Sequence, residues 1–280
     1  MIKIVMCVRN RLAITRKSIE ALYRHTKSPF QLHIYDNIST YKVKDHFQYF
    51  WKLYEQGNIT KVTFNTEAST YNAFSKAVAI NSFGHDHEQD PNKDKCDFIT
   101  MIDNDMIVTP NWDETVKDIS FYIDKHNLNN IFITTQYPGG MKKIIDLPNE
   151  YKENKIAIGK LGGSGFWNVK TDFFKKVGYL DIKMLIGQNK RHDQLYWRLL
   201  DKASGGENYI IGTDKRLVYH LGGLAGSVCN MLTKHKAQKT KPENTRLKEL
   251  EFKEVDDKID KMSFDEFYNM VQRETKYHGW

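Results

Sequence analysis

The sequence predicts an α/β protein with a mainly parallel central sheet flanked by helices and a short helical extension at the C-terminus. Apolar runs rich in Ile and Val recur between residues 2 and 103, and amphipathic helical patterns lie between them. A charged stretch without apolar periodicity then separates this body from a final capped segment.

The first run, IKIVMCV (2–8), is continuously apolar, as a strand buried on both faces must be. RLAITRKSIEALYRHT follows, with Leu12, Ile19 and Leu22 at helix-compatible spacing. FQLHIYD (30–36) is the second strand, and YKVKDHFQYFWKLYEQ supplies Phe47, Phe50, Trp51 and Tyr54 to a second helix. KVTFN (61–65), the helical pattern STYNAFSKAVAINSF and DFITMID (97–103) complete the alternation expected of parallel strands joined by helical crossovers. The polar segment GHDHEQDPNKDKC (84–96), broken by Pro91, reads as an exposed loop in which His85 and His87 are solvated. Thr109 and Pro110 suit an N-cap and first helical position ahead of Trp112, Val116, Ile119 and Ile123.

The second half is less regular. NIFITTQY (130–137), KIAIG (155–159), NYIIG and RLVYH read as strands, TDFFKKV as a helix, and LGGSGFW (161–167) as a glycine-rich loop. From Met231 the chain gains charge and loses periodicity, as a linker would. Ser263 and Glu266 form a capping box ahead of Phe264, Phe267 and Val271, predicting a short helix docked on the body or offered to a partner.

At 280 residues and 40% hydrophobic content, the chain suffices for one large domain with an appended tail. Cys7, Cys96 and Cys229 are odd in number and widely spaced, which argues for a reducing, cytoplasmic setting rather than a disulfide framework. No apolar run reaches transmembrane length, and the opening residues lack a secretory pattern. The excess of 42 Lys and Arg over 35 Asp and Glu gives a net charge of +7, compatible with polyanions and equally with a lysine-rich proteome.

The chemistry concentrates in DFITMIDNDMIVTPNW. On an extended backbone Asp103 and Asp105 point the same way, and in a parallel sheet they lie at the carboxyl end of a strand, where binding crevices open. A calcium loop is excluded because Ile107 and Val108 occupy positions that need an oxygen ligand and a glycine. Two carboxylates hold Mg²⁺ or Mn²⁺ when phosphates and water complete the shell, so a nucleoside diphosphate is the natural third party. There is no Walker sequence, LGGSG does not follow the first strand, and CVRNRLA lacks the glycines of a triphosphate loop.

Several of these stretches together resemble family 2 glycosyltransferases of the GT-A fold. IVMCVRNRLAITRKSIEALYRHT resembles the opening strand and helix, IYDNIST the second-strand motif and NTEASTYNAFSKAV the segment before the metal strand. DFITMIDNDMIVTPNW resembles the DxD strand, GGSGFWNVKTDFFKKVGYLD the acceptor-side loop and helix, RHDQLYWRLL the region of the catalytic acid, and RLVYHLGG a terminal strand ending in histidine. The resemblance implies a nucleotide-binding half over about residues 1–110 and an acceptor-binding half over about 111–230, forming one domain, with 231–280 a charged linker and C-terminal helix. It implies that Val8, Arg9, Asn10, Asp36, Asp103, Asn104, Gly163 and Trp167 bind the nucleotide sugar. Asp105, Asp103 and His220 would hold Mn²⁺ or Mg²⁺, and Asp193 would be the general base. The family's acidic stretch reads Glu-Asp-x-Asp-Leu, whereas this chain has Arg191-His192-Asp193-Gln194-Leu195.

Each position also has a purely structural use: Asp193 as a helix N-cap, Asp36 as an Asx-turn with Asn37 and Ser39, His220 bonded to a backbone carbonyl, and Phe166 or Trp167 as core. The expected activity is inverting, metal-dependent transfer of a sugar from a UDP-sugar to an acceptor hydroxyl, the inversion being implied by the resemblance alone. The acceptor is a carbohydrate or, given Lys234, Lys236, Lys239 and Lys241, a hydroxymethylated pyrimidine in DNA. A non-catalytic nucleotide- or carbohydrate-binding protein on the same scaffold is the third reading.

Overall fold

A computed structural model describes residues 1–37, 39, 41–65, 72–126, 132–134, 143–148, 155–159, 165–181, 198–199, 202, 205, 210–213, 215–221 and 253–274. Strands β1 (Ile2–Val8), β2 (Phe30–Asp36), β3 (Lys61–Phe64) and β4 (Phe98–Asp103) alternate with helices α1 (Leu12–His25), α2 (Val43–Glu55) and α3 (Asn72–Gln89). They form a parallel block in the order β3-β2-β1-β4. Beyond β4 the sheet becomes mixed. Strands β6 (Phe132–Thr134), β7 (Lys143–Asp146), β8 (Lys155–Gly159), β9 (Phe166–Val169) and β10 (Ile210–Thr213) continue it as β9-β6-β10-β8-β7, with β9 antiparallel to both β4 and β6.

Alternation along the central strands divides the core. Ile2, Ile4, Met6 and Val8 of β1 face α1, α2 and helix α4 (Trp112–Lys125), where they meet Leu22, Phe50, Trp112 and Val116. Val5 and Cys7 face the other way, with Ile99 and Met101 of β4, Ala77, Ile80 and Phe83 of α3, and Phe173 and Phe174 of α5 (Phe173–Val177). The sheet is thus covered on both faces, as its continuous apolar strands require.

Two local expectations are corrected, and a strand absent from the sequence reading is added. Residues 84–89 belong to α3, and the connection begins only at Asp90. Gly84 permits this packing, since a Cβ there would fall 2.5 Å from the Phe174 ring. His87 is buried: its Nδ1 lies 3.3 Å from Lys3 Nζ and its Nε2 3.0 Å from the Thr171 carbonyl. Second, α4 starts at Trp112 behind Asn111, which adopts a left-handed conformation (φ 61°) and donates its N–H to the His25 carbonyl at 3.0 Å, so Thr109 is not the cap. Trp112, Val116, Ile119 and Ile123 are all buried. In addition, the apolar residues after the carboxylate pair are a separate strand, β5 (Met106–Val108), paired antiparallel with β11 (Val218–His220) in a two-stranded ribbon.

At the C-terminal end, a helix over 253–259 (α6) is followed by α7 (Phe264–Glu274). The capping box forms: the Ser263 N–H donates to Glu266 Oε2 at 2.8 Å, and the Glu266 N–H donates to Ser263 Oγ at 3.2 Å. Phe264, Phe267, Met270 and Val271 are buried in the same core as α1. Among the described residues, no helix is long and apolar enough to cross a membrane, and Cys7 and Cys96 are free and buried.

Candidate active site

The carboxyl ends of β1, β2 and β4 form one rim, because β1 pairs in register with both neighbours: Val8 lies opposite Asp36, and Cys7 opposite Asp103. β4 ends at Asp103, whose N–H donates to the Gly165 carbonyl at 2.8 Å. Its place in the β4 alternation, beyond Ile99 and Met101, turns Asp103 toward α3, and Lys76 Nζ meets its Oδ1 at 2.5 Å. Asp105 comes from the turn that follows. Arg11 Nη1 donates to its Oδ2 at 2.7 Å, and His220 Nε2 stands 3.6 Å from its Oδ1, too long for a hydrogen bond. The pair therefore converges through a turn rather than along a continued strand.

The rim is held by a polar frame. Asn10 and Arg11 are successive left-handed residues (φ 54° and 56°), a conformation that Asn adopts readily but that costs a residue such as Arg11 roughly 1–2 kcal/mol. The Asn10 N–H donates to Ser39 Oγ at 2.8 Å, while Asn10 Oδ1 accepts the Tyr41 N–H at 2.9 Å. Asn104 Nδ2 donates to the Asn10 carbonyl at 3.0 Å and to Thr15 Oγ1 at 2.9 Å. These bonds fix the turn that aims Arg11 at Asp105. The β5–β11 ribbon fixes His220: it lies opposite Met106, and the Leu221 N–H donates to the Asp105 carbonyl at 2.9 Å. Gly165 sits against the pair, since a Cβ there would fall 1.9 Å from Met106 Cε and 3.3 Å from Asp103 Oδ2.

The electrostatics push the two carboxyls apart. Burial raises Asp103, and the neighbouring charge of Asp105 adds to it against the opposing pull of Lys76. Burial also raises Asp105, but His220, Arg11 and Lys76 together outweigh it and hold Asp105 at about 2. One carboxylate is thus fixed as an anion beside another that is more easily protonated.

The other expected positions are distributed differently. Val8 is buried at the end of β1, where its carbonyl accepts the Asn37 N–H at 2.8 Å, and Arg9 is half-buried in the turn that follows. Asp36 forms the Asx-turn: its Oδ1 accepts the Ser39 N–H at 2.8 Å, its Oδ2 lies 3.4 Å from His46 Nδ1, and burial raises its carboxyl. Trp167, 1% exposed, packs in the core on the α3 side of the sheet and leaves no free ring face for a ligand. Gly163 and Asp193 lie outside the described residues, as does the lysine-rich stretch 234–241. Arg11, Lys76 and Gly165 were not singled out from the sequence, because two cations distant in the chain from their carboxylates carry no local signal.

Among the described residues, no three His, Cys, Asp or Glu side chains gather as a self-sufficient metal cage. Two neighbouring carboxylates and an imidazole nevertheless match the donor chemistry of Mn²⁺ or Mg²⁺ when phosphate oxygens complete the shell.

No protein-family model and no curated protein sequence matches the chain. Solved structures do. Staphylococcus aureus TarS aligns at 18% identity and TM-score 0.50 over 82% of this chain, which spans 38% of that TarS chain. TarS 1–349 aligns at 15% identity and TM-score 0.49, covering 99% of this chain and 92% of its own. The mannosyltransferase PcManGT from Pyrobaculum calidifontis, solved with GDP-Man and Mn²⁺, aligns at 9% identity and TM-score 0.47, covering 75% and 53%. The TarS alignment shows the architecture of this chain: it has the GT-A fold of glycosyltransferases.

Proposed function

We propose that the chain is a metal-assisted, inverting glycosyltransferase that moves a sugar from a nucleoside diphosphate sugar, a UDP-sugar, to an acceptor hydroxyl. The observation that carries this reading is the convergence of Asp103, Asp105 and His220 at the carboxyl rim of the parallel strands, with His220 Nε2 3.6 Å from Asp105. Asp103, Asp105 and His220 would hold Mn²⁺ or Mg²⁺, which when bound stabilises the negative charge that develops on the leaving diphosphate.

The remaining work falls to the chain itself. Val8, Arg9, Asn10, Asp36 and Asn104 line or brace the end of β1 beside the carboxylates and are assigned to the nucleotide. Asp193 is assigned the acceptor proton. As the acceptor oxygen bonds to the anomeric carbon, the carbon–phosphate oxygen bond breaks, its electron pair leaves with the diphosphate, and the hydroxyl proton passes to the Asp193 carboxylate. The acceptor is proposed to be a carbohydrate. A hydroxymethylated pyrimidine in DNA is the second reading, motivated by the +7 charge and Lys234, Lys236, Lys239 and Lys241. Steep salt dependence of DNA binding would favour it, and no DNA affinity at low salt would end it.

The test is release of nucleoside diphosphate from a panel of nucleotide sugars with MnCl₂ present. Hydrolysis should appear with a UDP-sugar and vanish on chelation, whereas full activity in metal-free protein would overturn the metal role. Asp193→Asn should keep donor binding and lose transfer; unchanged turnover would remove the base assignment.

A further inference from the structure

The acidic pair is already occupied by cations of the chain itself. Lys76, its side chain 8% exposed, meets Asp103 at 2.5 Å, and Arg11 meets Asp105 at 2.7 Å. Counted by themselves, these two carboxylates and two cations sum to zero charge. A divalent cation entering alone would take this crevice to +2, in surroundings where like charges repel far more strongly than in water. It would also compete with Lys76 and Arg11 for the oxygens it needs. The diphosphate of a nucleotide sugar brings two negative charges and restores neutrality. It also offers acceptors for both side chains: Lys76 ends a flexible four-carbon stem, and the Arg11 guanidinium matches phosphate geometry.

We propose, building on the glycosyltransferase reading above, that Lys76 and Arg11 are built-in counter-ions that keep a divalent cation from binding tightly until a nucleoside diphosphate arrives to draw both side chains onto its phosphates. Metal and nucleotide then load as a coupled pair, and the coupling is reciprocal: UDP tightens Mn²⁺ binding by the same factor as Mn²⁺ tightens UDP binding. The backbone supports this assignment for Arg11. Its left-handed conformation is braced through Asn10 and Asn104, so the side chain starts its excursion from a fixed base.

The experiment is calorimetric titration of the full chain with MnCl₂, with and without UDP, and with UDP, with and without Mn²⁺. In the wild type each ligand should tighten the other by about tenfold or more. Lys76→Met should tighten Mn²⁺ binding without UDP, weaken UDP binding without Mn²⁺ and shrink the coupling, while Lys76→Arg should preserve it. Arg11→Gln, on a side chain that is 31% exposed, should do the same through Asp105 and serves if Lys76→Met does not fold. Equal Mn²⁺ affinity in wild type and both neutral variants, or no coupling in the wild type, would overturn the counter-ion role. Asp105→Asn separates the two levels of argument. If it abolishes Mn²⁺ binding while the neutral variants change nothing, only the counter-ion inference fails. If it leaves Mn²⁺ binding intact, the metal assignment beneath it fails as well.

Discussion

Both ends of the β1–β4 pair carry charge on the α3 face of the sheet, and the two ends treat it differently. At the amino end Lys3 is 2% exposed, with its ammonium held by Asp90 and by His87 across the sheet–helix seam. At the carboxyl end Asp103 keeps 26% side-chain exposure, Arg11 and His220 are also partly exposed, and two carboxylates stand together despite their repulsion. The first cluster is closed and pairs a cation with an anion, which suits a structural role. The second brings like charges together at an opening and relies on strained backbone to do so, an arrangement that a folded chain keeps where a ligand relieves it.

Substitution at each end should separate function from stability. Asp105→Asn is expected to lower donor hydrolysis about 100- to 1,000-fold, as loss of a preorganised electrostatic group does, with the melting temperature little changed. A large loss of stability with activity per folded molecule intact would reverse the comparison. Acid titration probes both ends together, since burial holds His33, near Lys3, and His46, near Asp36, at about 4. Their folded-state values lie below the unfolded value, so the stability tied to their neutral forms is present above pH 6.5. It is lost as pH falls from 6.5 toward 4, at about 1.4 kcal/mol per pH unit for each histidine. Urea denaturation at pH 7, 6 and 5 measures this, and His33→Phe or His46→Phe should each make the slope shallower. Lys3→Met should cost about 2 kcal/mol, the scale of hydrogen bonds to charged groups, and leave hydrolysis unaltered. Ser263→Ala should have the smallest effect, a slight fall in melting temperature from loss of the α7 cap, with no change in nucleotide binding.

The parallel block was legible because its strands are long unbroken Ile and Val runs and its helices keep their period. Ile2–Val8, Phe30–Asp36 and Phe98–Asp103 match the sequence reading within a residue at either end. The α3 extension was not legible: HDHEQ is polar, and contacts distant in the chain, with Lys3 and Thr171, help make His87 an interior residue. β5 was hidden because three residues give no period of their own; their strand character comes from pairing with the distant β11. At the site, Asp103 and Asp105 could be singled out from their spacing at the end of an apolar run. Their counter-charges could not, since Lys76 and Arg11 reach them only through tertiary structure. Trp167 beside its glycines suggested a stacking platform, but strand alternation had already committed it to the interior.

The β5–β11 ribbon ties the histidine to the acidic turn by backbone hydrogen bonds, so His220 and Asp105 behave as two points on one lever. The ribbon is a sheet of its own, so this link between the two side chains does not run through the nine-stranded sheet. A change in the position of either residue is therefore felt by the other through main-chain bonds alone.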